Sequence, residues 1–512
     1  MRGRPLTDTS RRGSLYPMGL QHFAAALGRH ALAAARVRSS FLAVLAMVGA
    51  VAFPAFAACA QERSQETPAP APQFVNGPGP SQPTASSGIG PLFQAPFGRD
   101  HLLGDWGGLR TSLLSYGVNV EFDYLTESAG NPLGGRRQGI ESAGQIGLEI
   151  DLDFAKITGW QGFANHMMIV QRNGRNLSAD DIGDNIATAQ EIFGGGGNVL
   201  AHLVYAYGEQ ELADGRIDIA AGRLPILTYF AASPLNCYFM NVIACGNAQP
   251  LAEYPGITEW PAANWGGQIR ALPTLSTYVM AGLFEVNPNN GGISGWSWGE
   301  PGATGVSVPI EVGWEPRFSD DNLVGHYKIG FDEDTSPYPN LLNDAAGHPA
   351  LISGNAAAQA SGRRQYYVLL DQMLARTGPS DTDGLILLGG YIHADSATSA
   401  LSDHAYLGLL TSAGLLGRPE DSFGIKFDYL KMSAALTQAQ ELEQELGLPL
   451  SNGGLGPAFG IQTHEEVLEA AYTARVYPGV TIMPDIQYIM QPGATTTFRN
   501  ALVLGIRTNV RF

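Results

Sequence analysis

From residue 117 onward the chain alternates apolar and polar residues with a period of two. Val118-Asn119-Val120-Glu121-Phe122-Asp123-Tyr124 alternates without a break, and so does Ile146-Gly147-Leu148-Glu149-Ile150-Asp151-Leu152-Asp153-Phe154. Successive side chains of a strand face opposite sides, so each segment has one apolar face and one acidic or small face. Candidate strands fall near 117–126, 144–154, 161–171, 198–209, 215–224, 266–272, 275–286, 307–314, 322–332, 364–375, 384–393, 403–413, 420–430, 466–475, 479–489 and 499–512. They number 16, an even count, and most approach the roughly 9–11 residues that a tilted transmembrane strand needs.

Alternation alone does not separate a soluble sandwich from a barrel in lipid. The connections do. Ile157-Thr158-Gly159-Trp160, Ala213-Asp214-Gly215, Leu272-Pro273-Thr274 and Tyr477-Pro478-Gly479 are short, while the stretches 172–197, 225–265, 287–306, 333–363 and 431–465 are long. Short periplasmic turns opposite long extracellular loops are the layout of outer-membrane barrels. The fold class read from the sequence is therefore all-β: a transmembrane, antiparallel, up-and-down β-barrel of 16 strands. One helix is expected, from Ala434 to Leu446, rich in Ala, Gln, Glu and Leu and followed by Pro449.

Composition supports this reading. Charged residues make up 15% of the 512 and hydrophobic residues 45%, with 64 Gly; ordinary soluble domains carry roughly 25% charged residues. A wall that shows one face to lipid confines charge to lumen and loops. No later stretch reaches the roughly 20 apolar residues of a membrane-spanning helix. Residues 1–60 read as a signal peptide: seven Arg, the apolar run Phe41 to Phe56, then Ala55-Phe56-Ala57 and Ala58-Cys59-Ala60 as small-residue cleavage sites. Initiation at Met18 would give a signal of more ordinary length, and Cys59 leaves a lipoprotein reading open. Residues 61–100, rich in Pro, Gly, Ser and Gln, read as a disordered periplasmic leader, and 101–512 as the barrel.

Taking seven Arg and one Asp from the 30 basic and 47 acidic residues leaves 23 and 46. That excess excludes nucleic-acid partners and suits a lumen for neutral or cationic solutes. Cys237 and Cys245 remain after export into an oxidising compartment, so a disulfide closing a short loop is expected. No His or second Cys pair stands at zinc-ligand spacing. There is no G-x-S-x-G, H-E-x-x-H or phosphate loop, so neither an enzyme nor a cofactor is expected. His393 with Asp395, Asp403 with His404, and His464 with Glu465 and Glu466 read as surface groups at strand ends or loops.

Three segments carry a family resemblance. His101-Leu102-Leu103-Gly104-Asp105-Trp106-Gly107-Gly108-Leu109-Arg110 resembles the Gly-Asp-Trp-Gly-Gly-x-Arg signature of the carbohydrate-selective porins of the OprB type. Phe230 to Phe239, closed by Cys245-Gly246-Asn247, is similar to that family's Cys-bearing third loop. Asn264-Trp265-Gly266-Gly267-Gln268-Ile269-Arg270 resembles the segment that re-enters the wall. The resemblance runs from about residue 100 to Phe512. It implies passive diffusion of sugars through a 16-stranded outer-membrane barrel of a Gram-negative bacterium, narrowed by an inward-folded loop. The word carbohydrate comes from the resemblance alone. A general or cation-preferring porin is the rival reading within transport. A barrel that merely anchors an enzyme or adhesin is the rival outside it.

A channel needs lumen side chains that match its solute. Strand parity nominates Glu121, Asp123, Glu149, Asp151 and Asp153, with Lys426 and Asp428 flanking Phe427; each can equally be solvated wall. Arg223 and Arg270 border the Cys-bearing loop and are candidates for the constriction, or else structural ion pairs. Trp260 and Trp265 could stack on sugar or join an interfacial aromatic girdle. Trp106 and Arg110 are placed at the periplasmic rim as a cap. On the last strand Leu502, Leu504, Ile506, Thr508, Val510 and Phe512 face lipid while Arg507 and Arg511 point inward, and Phe512 resembles the terminal signal read by the barrel-assembly machinery. Porins commonly form homotrimers, and nothing in the sequence shows a subunit interface.

Overall fold

The alternation becomes antiparallel pairing that runs all the way round. The computed structural model describes residues 101–193, 198–245, 261–291, 301–412 and 418–512. The proposed signal and leader, 1–60 and 61–100, and Trp260 lie outside them. The strands are β1 (Val118–Gly135), β2 (Ile140–Asp153), β3 (Phe163–Gly174), β4 (Val199–Leu212), β5 (Ile217–Leu224), β6 (Asn264–Thr274), β7 (Thr277–Val286), β8 (Gly305–Trp314), β9 (Leu323–Asp344), β10 (Ala357–Arg376), β11 (Gly384–Ala394), β12 (Leu401–Ser412), β13 (Ser422–Met432), β14 (His464–Tyr477), β15 (Val480–Met490) and β16 (Arg499–Arg511). Each pairs with its sequence neighbours, and β16 returns to β1, closing a barrel of sixteen strands. A two-residue pairing, Arg317–Phe318, joins the foot of β9. Closure leaves no sheet edge, which is what backbone amides require in hydrocarbon. No described helix is long and apolar enough to cross a membrane.

Parity sorts the side chains. Outward positions carry Ile329, Val368, Leu407, Phe427, Leu468, Ile486, Leu504 and Ile506, all exposed. Inward positions on β16 carry Ala501, Val503, Arg507 and Arg511, all buried. Not every inward position is polar: Leu369, Leu388, Leu430 and Val467 face the lumen and join loop residues Leu235, Phe239 and Ile243 in one buried apolar cluster. The main core of this molecule thus lies inside the barrel, between wall and loops.

One hairpin runs well past the apolar belt. The stretch 333–363, expected as a loop, is mostly strand, because β9 continues to Asp344 and β10 begins at Ala357. The 22 residues of β9 span roughly 70 Å, against ~30 Å of hydrocarbon. Beyond the belt both faces meet water, so alternation fades while pairing persists. There Arg363 stacks over the Tyr338 ring at 3.6 Å and Arg364 pairs with Glu333 at 3.2 Å. Pro337 and Pro339 further obscure the strand, yet both keep register partners in β10. The expected helix spans Ala434–Glu445, with the Ser433 side chain accepting from Leu436 N as its N-cap.

Candidate functional site

The connection from β5 to β6 turns into the barrel. Its first part, Pro225 to Cys245, is built of short turns, Ile226–Thr228, Pro234–Tyr238 and Val242–Cys245. Such turns leave many main-chain groups without partners of their own, and buried groups of that kind must be satisfied. The wall supplies the partners. Glu311 of β8 accepts from Ala231 N at 2.8 Å and from the hydroxyls of Tyr278 and Tyr367 at 2.6 and 2.7 Å. Glu469 of β14 accepts from the amides of Met240 and Asn241. Lys328 of β9 donates to Ala232 O at 2.5 Å, and Lys426 of β13 to Ala244 O at 3.2 Å. Arg507 of β16 donates to Phe239 O at 2.8 Å while its other nitrogens pair with Glu127 at 2.5 and 2.7 Å. Asn241 reaches Gln487 of β15 at 2.9 Å. Anchors on β8, β9, β13, β14, β15 and β16 mean that a segment leaving β5 crosses the lumen to the opposite wall.

Its large apolar side chains sit where the inner wall carries glycine. A Cβ on Gly424 would lie 2.7 Å from Phe239 Cζ, one on Gly505 2.2 Å from Met240 Cε, and one on Gly282 3.0 Å from Phe230 Cε2. At each of the three a methyl would force the loop side chain to give way. The glycines act as sockets for three residues of the loop.

A second loop, between β3 and β4, also folds inward. Ile192 N donates to Glu127 at 3.1 Å, Gln190 Nε2 to Glu127 O at 2.9 Å, and Gln487 Nε2 to Ala189 O at 3.0 Å. Thr188 O accepts from Val242 N at 2.9 Å, so the two loops brace each other. Burial raises the Asp184 carboxyl above its ordinary range. Length alone did not reveal this inward fold.

Glu121, Asp123, Glu149 and Asp151 share the inner face of β1 and β2 towards the short-turn rim, with Glu121 opposite Glu149 in register. Glu149 accepts from Tyr205 OH at 2.5 Å, and Asp151 lies 2.7 Å from His166 Nδ1. Asp153 belongs elsewhere: it is half exposed at the rim and accepts from Ala155 N as a helix N-cap. Lys426 and Asp428 are 1% and 0% exposed, so neither is solvated wall; Lys426 anchors the loop and Asp428 pairs with it at 3.1 Å. His404 and Glu465, expected at the surface, are fully buried on inward positions, His404 Nε2 lying 3.0 Å from Asp428.

Arg223, at the end of β5, is buried and interacts with Glu285. Arg270 does not lie beside the Cys-bearing loop. Its strand carries it down to the other rim, where it pairs with Glu315 at 3.3 Å and stacks over Tyr278 at 4.3 Å. Closeness to the loop in sequence did not translate into height in the barrel. Trp265 shares the outward face of β6 with exposed Ile269. Cys237 and Cys245 are buried free thiols. Their sulfurs are 3.2 Å apart, against the ~2.05 Å of a disulfide, so the expected bond is not formed. Cys237 O and Cys245 Sγ instead serve as acceptors for Arg507.

A family model described as carbohydrate-selective porin, OprB family, matches residues 137–512. Porin B of Pseudomonas aeruginosa is 28% identical over 428 residues, covering 80% of this chain and 91% of that protein. Putative porin QuiX of Acinetobacter baylyi is 26% identical over 426 residues, covering 81% of this chain and 93% of that protein. The high-pH structure of Pseudomonas putida OprB superposes with a TM-score of 0.74 at 28% identity, covering 81% of this chain and 99% of that one.

Proposed function

Since the chain belongs to the carbohydrate-selective porins of the OprB family, we propose that its sugars pass a constriction formed by Pro225 to Cys245, held across the lumen from β8 to β16. It is a channel of the Gram-negative outer membrane that carries sugars by passive diffusion. One observation carries the constriction: carboxylates and cations from five wall strands satisfy the backbone of that loop, and the amide of Gln487 on a sixth holds the Asn241 side chain. A loop tied at both sides narrows the lumen permanently. It forces a solute to shed bulk water against fixed polar groups.

Glu121, Asp123, Glu149 and Asp151 then line the periplasmic side of the passage, and the outward apolar belt meets lipid. Phe512 closes the strand offered to the assembly machinery. A cation-preferring channel is the second reading, favoured by these four carboxylates on one wall. Uptake of neutral sugars against size-matched amino acids into proteoliposomes separates the two. Faster sugar entry supports the first reading, equal entry sinks sugar preference, and exclusion of both sinks the channel.

A further inference from the structure

The segment before β1 carries apolar side chains that the barrel does not cover. It follows the periplasmic rim. Leu102 N donates to Arg511 O at 2.7 Å, and a Cβ on Gly479, in the turn between β14 and β15, would lie 2.4 Å from Leu102 N. The short helix Leu109–Ser115 comes next. Lys156 Nζ, in the connection from β2 to β3, donates to Leu114 O at 3.3 Å. One stretch of chain thus passes the ends of β15, β16, β1 and β2. Leu103, Leu109 and Tyr116 along it are each more than half exposed, as is Trp160 in the connection from β2 to β3.

The helix is two-sided. At about 100° per residue, Leu109, Leu113 and Tyr116 stand at i, i+4 and i+7 and share one side. Arg110 lies roughly a quarter turn from them and points at the wall, donating to Val120 O at 3.0 Å and to Phe512 O at 2.6 Å. Ser112 and Ser115 fall on the side away from the wall. Thr111, whose hydroxyl donates to Asp105 at 2.9 Å, falls opposite the apolar side. With Arg110 towards the strands and the serines towards the periplasm, the apolar side looks sideways along the rim.

Sideways leaves two media, the watery mouth of the lumen or the bilayer. The neighbouring wall chooses between them. Phe122 and Phe512, on outward positions of β1 and β16, lie 5.5 Å apart next to the strand that Arg110 holds. Trp160 stacks at 4.3 Å on Phe163, an outward residue of β3, beyond the other end of the helix. Aromatic rings at this height mark the membrane interface, and the exposed side of the helix adjoins them. We propose that Leu109, Leu113 and Tyr116 seat the segment in the periplasmic leaflet, with phospholipid covering the face that the protein leaves open. The leucines reach the acyl boundary about 5–10 Å below the headgroups, while the Tyr116 hydroxyl stays among them. The occupant is lipid because the face continues the belt that already meets lipid. The seat is independent of which solute the channel passes.

The test places a nitroxide spin label on Leu109→Cys, Tyr116→Cys and Ser115→Cys in the full barrel. Each is reconstituted into vesicles of phosphatidylethanolamine and phosphatidylglycerol. The natural protein, carried through the same labelling, gives the background from buried Cys237 and Cys245. Relaxation by oxygen, which collects in lipid, is compared with relaxation by a water-soluble nickel chelate. Labels at 109 and 116 should respond severalfold more to oxygen than to nickel, and the label at 115 should do the reverse. Heat-modifiable gel mobility checks that each barrel is folded. Tyr116→Cys lies outside the helix hydrogen-bonding and decides the matter even where Leu109→Cys does not fold. Nickel responses at 109 and 116 as strong as at 115 would put the face in water and overturn the seat. Labels at 109 and 116 shielded from both reagents would mean that protein covers the face, which overturns it equally.

Discussion

Arg110 donates a 2.6 Å hydrogen bond to the main-chain oxygen of Phe512, joining residues 402 apart. The same guanidinium stacks on Trp106 at 4.2 Å, donates to Val120 O at 3.0 Å and meets Glu121 at 3.3 Å. Leu102 N donates to Arg511 O at 2.7 Å beside it. The segment before β1 therefore clasps the seam where the first and last strands close the barrel. Arg110→Ala should remove interactions worth about 1.5–3 kcal/mol each at a charged group. The folded barrel should then lose its compact gel mobility at lower temperature, with single-channel conductance unchanged. Equal thermal stability would show that the clasp contributes nothing.

The glycine sockets make a graded prediction. Gly424→Ala drives a methyl against the rigid Phe239 ring, so the loop must lift from β13. Gly505→Ala meets only the flexible end of Met240, which can bend aside. Conductance should change clearly in the first and little in the second. Alanine at Gly354, with open space around it, serves as the folding control, though its positive φ of 73° makes it mildly strained.

Glu311 holds the loop through the amide of Ala231 and is itself held by the hydroxyls of Tyr278 and Tyr367 on the wall. Glu311→Ala strands two buried hydroxyls and an amide, each costing roughly 1–3 kcal/mol unsatisfied. The loop should detach from β8, raising conductance and weakening any preference for sugars over size-matched solutes in proteoliposome uptake. Unchanged flux ratios would place the constriction elsewhere.

At the periplasmic rim Arg317 donates to both carboxylate oxygens of Asp381, at 2.9 and 2.6 Å. Those hydrogen bonds hold the Asp381 carboxyl below its ordinary range. A lowered folded value means the pair stabilises above the unfolded value and stops doing so as pH falls through the folded one. Asp381→Asn should therefore lower the thermal transition at pH 7, with the difference from the natural protein shrinking as pH falls below about 4. A pH-independent difference would assign the effect to packing.

The sequence by itself determined the strands, their number and their inside and outside. A period of two fixes which side chain faces which way, and lipid on one side demands an apolar set there. Outward Phe427 between inward Lys426 and Asp428 was legible for that reason, as were the helix from Ala434 and the cap built on Arg110. Parity says which side a residue faces, but not its height in the barrel or what fills the space beyond it. Only the tertiary structure decided that Lys426, Glu469 and Arg507 hold a loop rather than face water, and that a second loop folds in beside the first. It also decided that Arg270 lies at the far rim and that Cys237 and Cys245 stay unbonded. Those contacts join residues tens to hundreds of positions apart, and loops carry no periodicity to say where they go. Their placement is set by which wall groups satisfy their backbone and which glycines leave room for their side chains.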